Sequence, residues 1–134
     1  MKGLRRHGTW MFAAVCGLAV ATGYQASAAG GVEQGRDIYE KRCTGCHKLD
    51  GVKAGPPLRG VYGRRAGSDA KFPYSDALKK STLVWDDANL DKWLSDPDSL
   101  VPDNDMSFRL DDAAERSALI AYLKQLSADR KGQP

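Results

Sequence analysis

Between Lys48 and Tyr74 the chain carries Gly51, Gly55, Pro56, Pro57, Gly60, Gly63, Gly67 and Pro73, a density of breakers that forbids a long helix or a central strand. A loop this long is suspect inside a compact domain unless it has something to pack on, and a bound apolar group would supply the missing core. The flanking segments read as helices. Val32–Arg42 has good helix formers with apolar Val32, Ile38 and Tyr39. Ser75 can cap a short helix over Asp76–Lys80. Asp86 or Asp87 can cap another over Ala88–Ser95, where Leu90, Trp93 and Leu94 share a face and Asp96-Pro97 ends the run. A last helix opens at Asp111 or Asp112, with Glu115 placed for a capping box on Asp112 and Leu119, Tyr122, Leu123 and Leu126 on one stripe. Ala128 to Pro134 is polar and expected to fray. The predicted fold class is all-α, without internal repeats.

Immediately before the loop stands Cys43-Thr44-Gly45-Cys46-His47. C-x-x-C-H is the attachment signature of a c-type haem. Two thiols three residues apart at the end of a helix reach the two vinyl groups on one edge of a porphyrin and form thioethers. The adjacent imidazole then stands under the iron as proximal ligand. Other chemistries fit less well. A structural zinc site needs four ligands, which this chain could complete only with carboxylates. A redox dithiol follows a strand in a βαβ unit, and no run of β-branched residues precedes Cys43. A Cys43–Cys46 disulfide would close a tiny loop and leave His47 without a reason. The expectation is one haem c per chain, attached through Cys43 and Cys46, with His47 on the iron.

Charge and the first residues bear on the compartment. Over 134 residues, 20 Lys+Arg against 17 Asp+Glu give a net charge of +3. The excess is local: Lys2, Arg5 and Arg6 precede an apolar run from Trp10 to Thr22, followed by Gly23-Tyr24-Gln25-Ala26-Ser27-Ala28. This order reads as a cleaved secretory signal over residues 1–28 with an A-x-A site, leaving 29–134 as the working domain. The run falls short of the about 20 residues of a bilayer span. Cys16 lies inside it with apolar residues beyond, unlike the cysteine of a lipoprotein signal. An uncleaved N-terminal anchor is the alternative. Residues 1–28 contain no Asp or Glu, so residues 29–134 are formally neutral and lack the basic excess of a nucleic-acid surface. Export to the bacterial periplasm, with no nucleic-acid partner, is expected. Within 29–134, His47 is the one histidine and Met106 the one methionine.

Further motifs stand in order along residues 31–126. They are Gly35-x-x-x-Tyr39 before C-x-x-C-H, Gly55-Pro56-Pro57-Leu58-Arg59-Gly60-Val61-Tyr62-Gly63-Arg64, Phe72-Pro73-Tyr74-Ser75-Asp76-Ala77, Trp85, Met106-Ser107-Phe108 and Leu119-Ile120-Ala121-Tyr122-Leu123. In these the chain resembles the class I c-type cytochromes, the group of bacterial cytochromes c2 and mitochondrial cytochrome c. The resemblance implies the compact cytochrome c fold, with helices and long loops wrapped around a single haem. It implies that Gly35 lies where the first and last helices cross, with Tyr39, Leu119 and Tyr122 packed around it. It implies that the Pro56 carbonyl accepts the Nδ1 hydrogen of His47. Arg64, Tyr74 and Trp85 resemble the residues that bond or neutralise a buried haem propionate, and Met106 the sixth iron ligand. Trp93 occupies the place of the family's methionine-side tyrosine, a change that alters hydrogen bonding near the sulfur.

Two strong-field axial ligands leave no open position for substrate. The expected role is therefore not enzymatic: a soluble, monomeric one-electron carrier that docks transiently at the haem edge with redox-protein donors and acceptors, with no membrane span after signal cleavage. A haem enzyme or gas sensor with a labile Met106, and a c-type subunit of a larger redox complex, are the alternatives. One departure concerns partners: Asp103-Asn104-Asp105 stands where mitochondrial members place Gly, Thr and Lys. Eleven basic and five acidic residues between Arg36 and Lys80, against six and eleven from Ser81 onward, polarise the neutral domain. The methionine side is expected to be acidic and to suit a basic or weakly charged partner.

Overall fold

A computed structural model describes residues 23–132, without the side chains of 23–30 and 131; the basic and apolar segment through Thr22 lies outside it. Helix α1 (Gly23–Ile38) continues as a wider turn over Tyr39–Cys43, followed by α2 (Asp76–Lys80), α3 (Asp87–Ser95), α4 (Pro97–Leu100) and α5 (Ala113–Lys131). Among the described residues no strand forms, and extended pairing is confined to one antiparallel bridge, Arg65–Val84.

Two helices run beyond their expected bounds, and one helix is additional. Helix α1 starts before Val32 and runs back through Ala26–Ala29, whose alanines are strong helix formers. Helix α5 does not fray at Ala128: it continues to Lys131, where the Arg130 guanidinium donates to the Arg59 carbonyl at 3.2 Å and ties the last turns to the loop. An additional helix, α4, arises because Asp96 serves two neighbours. It closes α3 and then caps Pro97–Leu100, its carboxylate accepting from the Ser99 N–H at 3.3 Å, with proline at the first helical position.

The other caps follow the chemistry of their residues. Ser75 accepts from Leu78 N–H at 3.3 Å, Asp86 from Asn89 N–H at 2.8 Å, and Asp112 from Ala114 and Glu115 N–H at 2.7 and 2.9 Å. The reciprocal half of the expected capping box is not made. The Glu115 carboxylate instead accepts from the Arg42 guanidinium at 2.8 Å, drawing α5 toward the segment that carries Cys43.

Helices α1 and α5 cross at Gly35, where a Cβ would run into the Ala118 carbonyl and lie 2.8 Å from Tyr122 Cβ. The Tyr39 and Tyr122 rings pack beside this crossing, centroids 5.8 Å apart, and Leu119, Leu123 and Leu126 are buried along the same helix. Helix α3, with Leu90, Trp93 and Leu94 buried, packs beside α5. The glycine- and proline-rich loop is held at its edges: Gly63 N–H to the Trp85 carbonyl at 2.8 Å, Trp85 N–H to Arg64 at 2.9 Å, Ala66 N–H to Leu83 at 2.8 Å. Gly67 turns the chain at φ +64° with the Leu78 carbonyl where a Cβ would sit, so neither conformation nor space admits a side chain. Between this loop and the helices the chain encloses a cavity.

Candidate haem site

The cavity has a volume of about 290 Å³, and it brings together Cys43, Cys46, His47, Pro56, Arg64, Tyr74, Trp85, Trp93 and Met106, all the site residues expected from the sequence. Its walls are apolar: Leu58, Val61, Leu78, Leu90, Leu94, Leu119 and Leu123 line it with Phe72 and Phe108. Trp85 and Trp93 are buried and meet in it with ring centroids 5.1 Å apart and planes tilted by 56°. An aqueous core of this composition would be costly, so the walls call for an apolar group of matching width.

Geometry at the C-x-x-C-H segment starts with the end of α1. The wide turn is closed by Thr44 N–H to the Tyr39 carbonyl at 3.3 Å, a π-type bond. A tight turn follows, Cys46 and His47 N–H both donating to the Cys43 carbonyl at 3.1 and 2.8 Å. Both thiols and the imidazole thereby face one cavity. Burial pushes the Cys43 thiol up to about 11, so it stays protonated, unlike the low-pKa thiolate a dithiol oxidoreductase uses. Cys46 is exposed, and the two sulfurs are not joined. Among the described residues no three His, Cys, Asp or Glu side chains cluster as metal ligands, so the zinc alternative lacks its set.

His47 Nδ1 lies 2.8 Å from the Pro56 carbonyl oxygen. A carbonyl can only accept, so Nδ1 carries the hydrogen and the neutral ring keeps its lone pair on Nε2. Burial lowers the imidazole pKa, against a smaller upward pull from that hydrogen bond, and favours the neutral, ligating form. Gly55 makes this placement possible: a Cβ there would stand 2.6 Å from Nδ1 and 2.9 Å from Nε2.

Arg64 supplies the test of whether the pocket fits haem. Its Nη2 donates to the Pro57 carbonyl at 3.4 Å and its Nη1 lies 3.8 Å from the Asp69 carboxylate, while the buried Nε has no partner. A buried guanidinium nitrogen left unpaired is costly and marks the place of an absent acceptor. Tyr74 is buried beside it, its hydroxyl pKa raised chiefly by that burial. A group with an apolar body and an acidic edge matches these donors.

Met106 is half-buried in the cavity wall, next to exposed Asp105 and Ser107. Three neighbours have no site role in the sequence reading: Gly55, Arg42 and Asn104. Arg42 lines the mouth with its guanidinium carbon 5.8 Å from the Phe108 ring centroid. Only contacts across the fold reveal these roles; Asn104 alone had a local signal, as an amide two residues before Met106.

All-helical packing around a cavity that gathers two thiols, a lone-pair imidazole nitrogen, a thioether and a partly buried arginine whose Nε lacks a partner defines a c-type haem protein. The cytochrome c family model matches residues 32–127. Cytochrome c2 iso-2 of Magnetospirillum fulvum is 47% identical over 87 residues, covering 63% of this chain and 91% of that protein. Cytochrome c2 of Rhodoblastus acidophilus is 41% identical over 105 residues, covering 75% and 97%. The structure of cytochrome cH from Methylobacterium extorquens superposes with a TM-score of 0.67 at 40% identity, over 70% of this chain and 97% of that one. The chain belongs to the cytochrome c family, as a class I monohaem c-type cytochrome with haem c attached through Cys43 and Cys46. Proteins of this family are haem-based electron carriers.

Proposed function

We propose that this cytochrome is a one-electron carrier of the bacterial periplasm in which His47 and Met106 are the axial ligands. The observation that carries the ligand pair is the 2.8 Å bond from His47 Nδ1 to the Pro56 carbonyl, which leaves Nε2 as the ring's lone-pair donor in the cavity that Met106 also lines. When bound, haem c supplies an Fe(III)/Fe(II) couple. The protein's residues do the rest. Pro56 and Gly55 fix the imidazole, the leucine and tryptophan walls exclude water, and Arg64 offers its free Nε to an acidic edge. With both residues on the iron, the Met106 thioether and the His47 imidazole would favour the ferrous state and would leave no position for a substrate. The export signal pattern and the bacterial cytochromes c2 among the relatives support the periplasm. Among the described residues no helix is long and apolar enough to cross a membrane.

The docking face follows from which charges are already paired. Arg109 engages Asp96 and Asp98, whereas Asp103, Asp105 and Asp111 make no ion pair among the described residues, and exposed Asp105 stands at the cavity mouth. An electropositive partner surface fits this rim. The ligand pair is tested by absorbance. Ferric protein should show the weak red-edge sulfur-to-iron band, lost in Met106→Ala; rapid carbon monoxide binding to reduced wild-type protein would refute it. Electron transfer indifferent to salt and to a polycationic competitor would remove the acidic docking face.

A further inference from the structure

The segment before and after Met106 is tied to α4 on both sides. The Met106 N–H donates to the Asn104 side-chain oxygen at 2.7 Å. The Asn104 Nδ2 in turn donates to the Val101 carbonyl at 2.9 Å and to Asp98 Oδ1 at 3.1 Å. Beyond the methionine, Arg109 Nη2 lies 2.8 Å from Asp96 Oδ1 and 3.6 Å from Asp98 Oδ2. Asp98 thus receives the chain from two residues before Met106 and from three residues after it. Asp103, in the left-handed region at φ +63°, turns the chain so that Asn104 reaches back.

We propose that Asn104, anchored on Asp98, is a positioning residue that holds Met106 toward the cavity and so sets how firmly the iron keeps its sixth ligand. The inference rests on the reading of Met106 as that ligand. Chemistry selects asparagine here. Position 104 must accept one hydrogen bond from the Met106 backbone and donate two, to a carbonyl and a carboxylate. A primary amide does all three, whereas a carboxylate cannot donate and a hydroxyl has one hydrogen. A loop so tied loses little further freedom when its thioether binds metal. An untied one would have to be ordered at the expense of the bond.

Imidazole, added to ferric holoprotein, competes with Met106 for the iron, and loss of the sulfur-to-iron band reports the exchange. Each hydrogen bond of this kind is worth about a factor of 2–10, so Asn104→Ala should bind imidazole about tenfold more tightly than wild type. Asn104→Asp, which keeps the acceptor but loses both donors and faces Asp98, should also bind more tightly. Asp98→Asn keeps an acceptor for Asn104 but loses the carboxylate that also holds Arg109, so it should bind imidazole more tightly than wild type and less tightly than Asn104→Ala. Tyr62→Phe removes a 2.6 Å hydrogen bond to Asp87 away from the cavity and should leave imidazole affinity unchanged, which separates positioning from general loss of stability. Wild-type affinity in Asn104→Ala, with the band present in both proteins, overturns the proposal. Absence of the band from wild type would instead overturn the ligand reading and the clamp with it.

Discussion

Gly55→Ala should damage this protein far more than a methyl group ordinarily would. The added Cβ falls inside the imidazole of His47, 2.6 Å from Nδ1 and 2.9 Å from Nε2. The backbone cannot retreat, because Gly55 N–H is bonded to the Cys46 carbonyl at 2.8 Å and its own carbonyl accepts from Lys53 N–H at 3.1 Å. The ring must therefore move, and with it goes the 2.8 Å bond to Pro56. Overpacking costs about 1–3 kcal/mol. The lost hydrogen bond adds about 1 kcal/mol. At about 4–8 °C per kcal/mol for a domain of this size, the holoprotein's unfolding midpoint should fall by about 10 °C or more. The matched control is Gly45→Ala, two residues before His47, where a Cβ has nothing within 4 Å. Thermal denaturation followed by circular dichroism compares the two, and proton NMR reports whether the His47 Nδ1 hydrogen still exchanges slowly. Equal midpoints for the two variants, with the Nδ1 proton protected in both, would refute the steric account of His47 placement.

Two other perturbations read different parts of the molecule. Arg64→Leu removes a partly buried cation whose Nε has no protein partner, so the more electron-rich ferrous state loses support and the reduction potential should fall; a spectroelectrochemical titration showing no change or a rise would count against Arg64 acting on the haem. The Asp87 carboxyl is held below its ordinary range, first by the Tyr62 hydroxyl and then by Lys124. A depressed folded-state pKa contributes stability above the ordinary carboxylate range and loses it as pH falls through the folded value. Tyr62→Phe should therefore be less stable than wild type at neutral pH, by less than about 1 kcal/mol for so exposed a pair, and the gap should close in acid. Denaturant melts at both pH values decide it, a gap that persists in acid being the contrary result.

Local chemistry made much of the site legible in advance. Cys43, Cys46 and His47 announce themselves because the covalent reaction needs two thiols and an imidazole at that spacing. Ser75 is readable as a cap, and Asp86 and Asp112 each as one of two adjacent candidates, since a short polar side chain before an apolar-periodic run has one common use. Where expectation and structure part, a distant partner intervened. Glu115 gives up the capping box for Arg42. Arg130 finds the Arg59 carbonyl and keeps α5 helical past Ala128.

By itself, then, the sequence determined the haem chemistry, the all-helical class and the absence of regular structure between Lys48 and Tyr74. Breakers, caps and the C-x-x-C-H spacing act over a few residues and need no fold to express them. Tertiary structure decided everything that depends on two distant segments meeting. It put the Gly55 backbone against the His47 ring, left Arg64 Nε without a partner, and tied Asn104 and Arg109 to α4 on either side of Met106. The loop that no local pattern could organise is ordered by what it packs on. Its glycines and prolines exclude regular helix and strand, local turns such as Val61 N–H to the Leu58 carbonyl bend it, and its shape follows the helices and the apolar cavity it encloses.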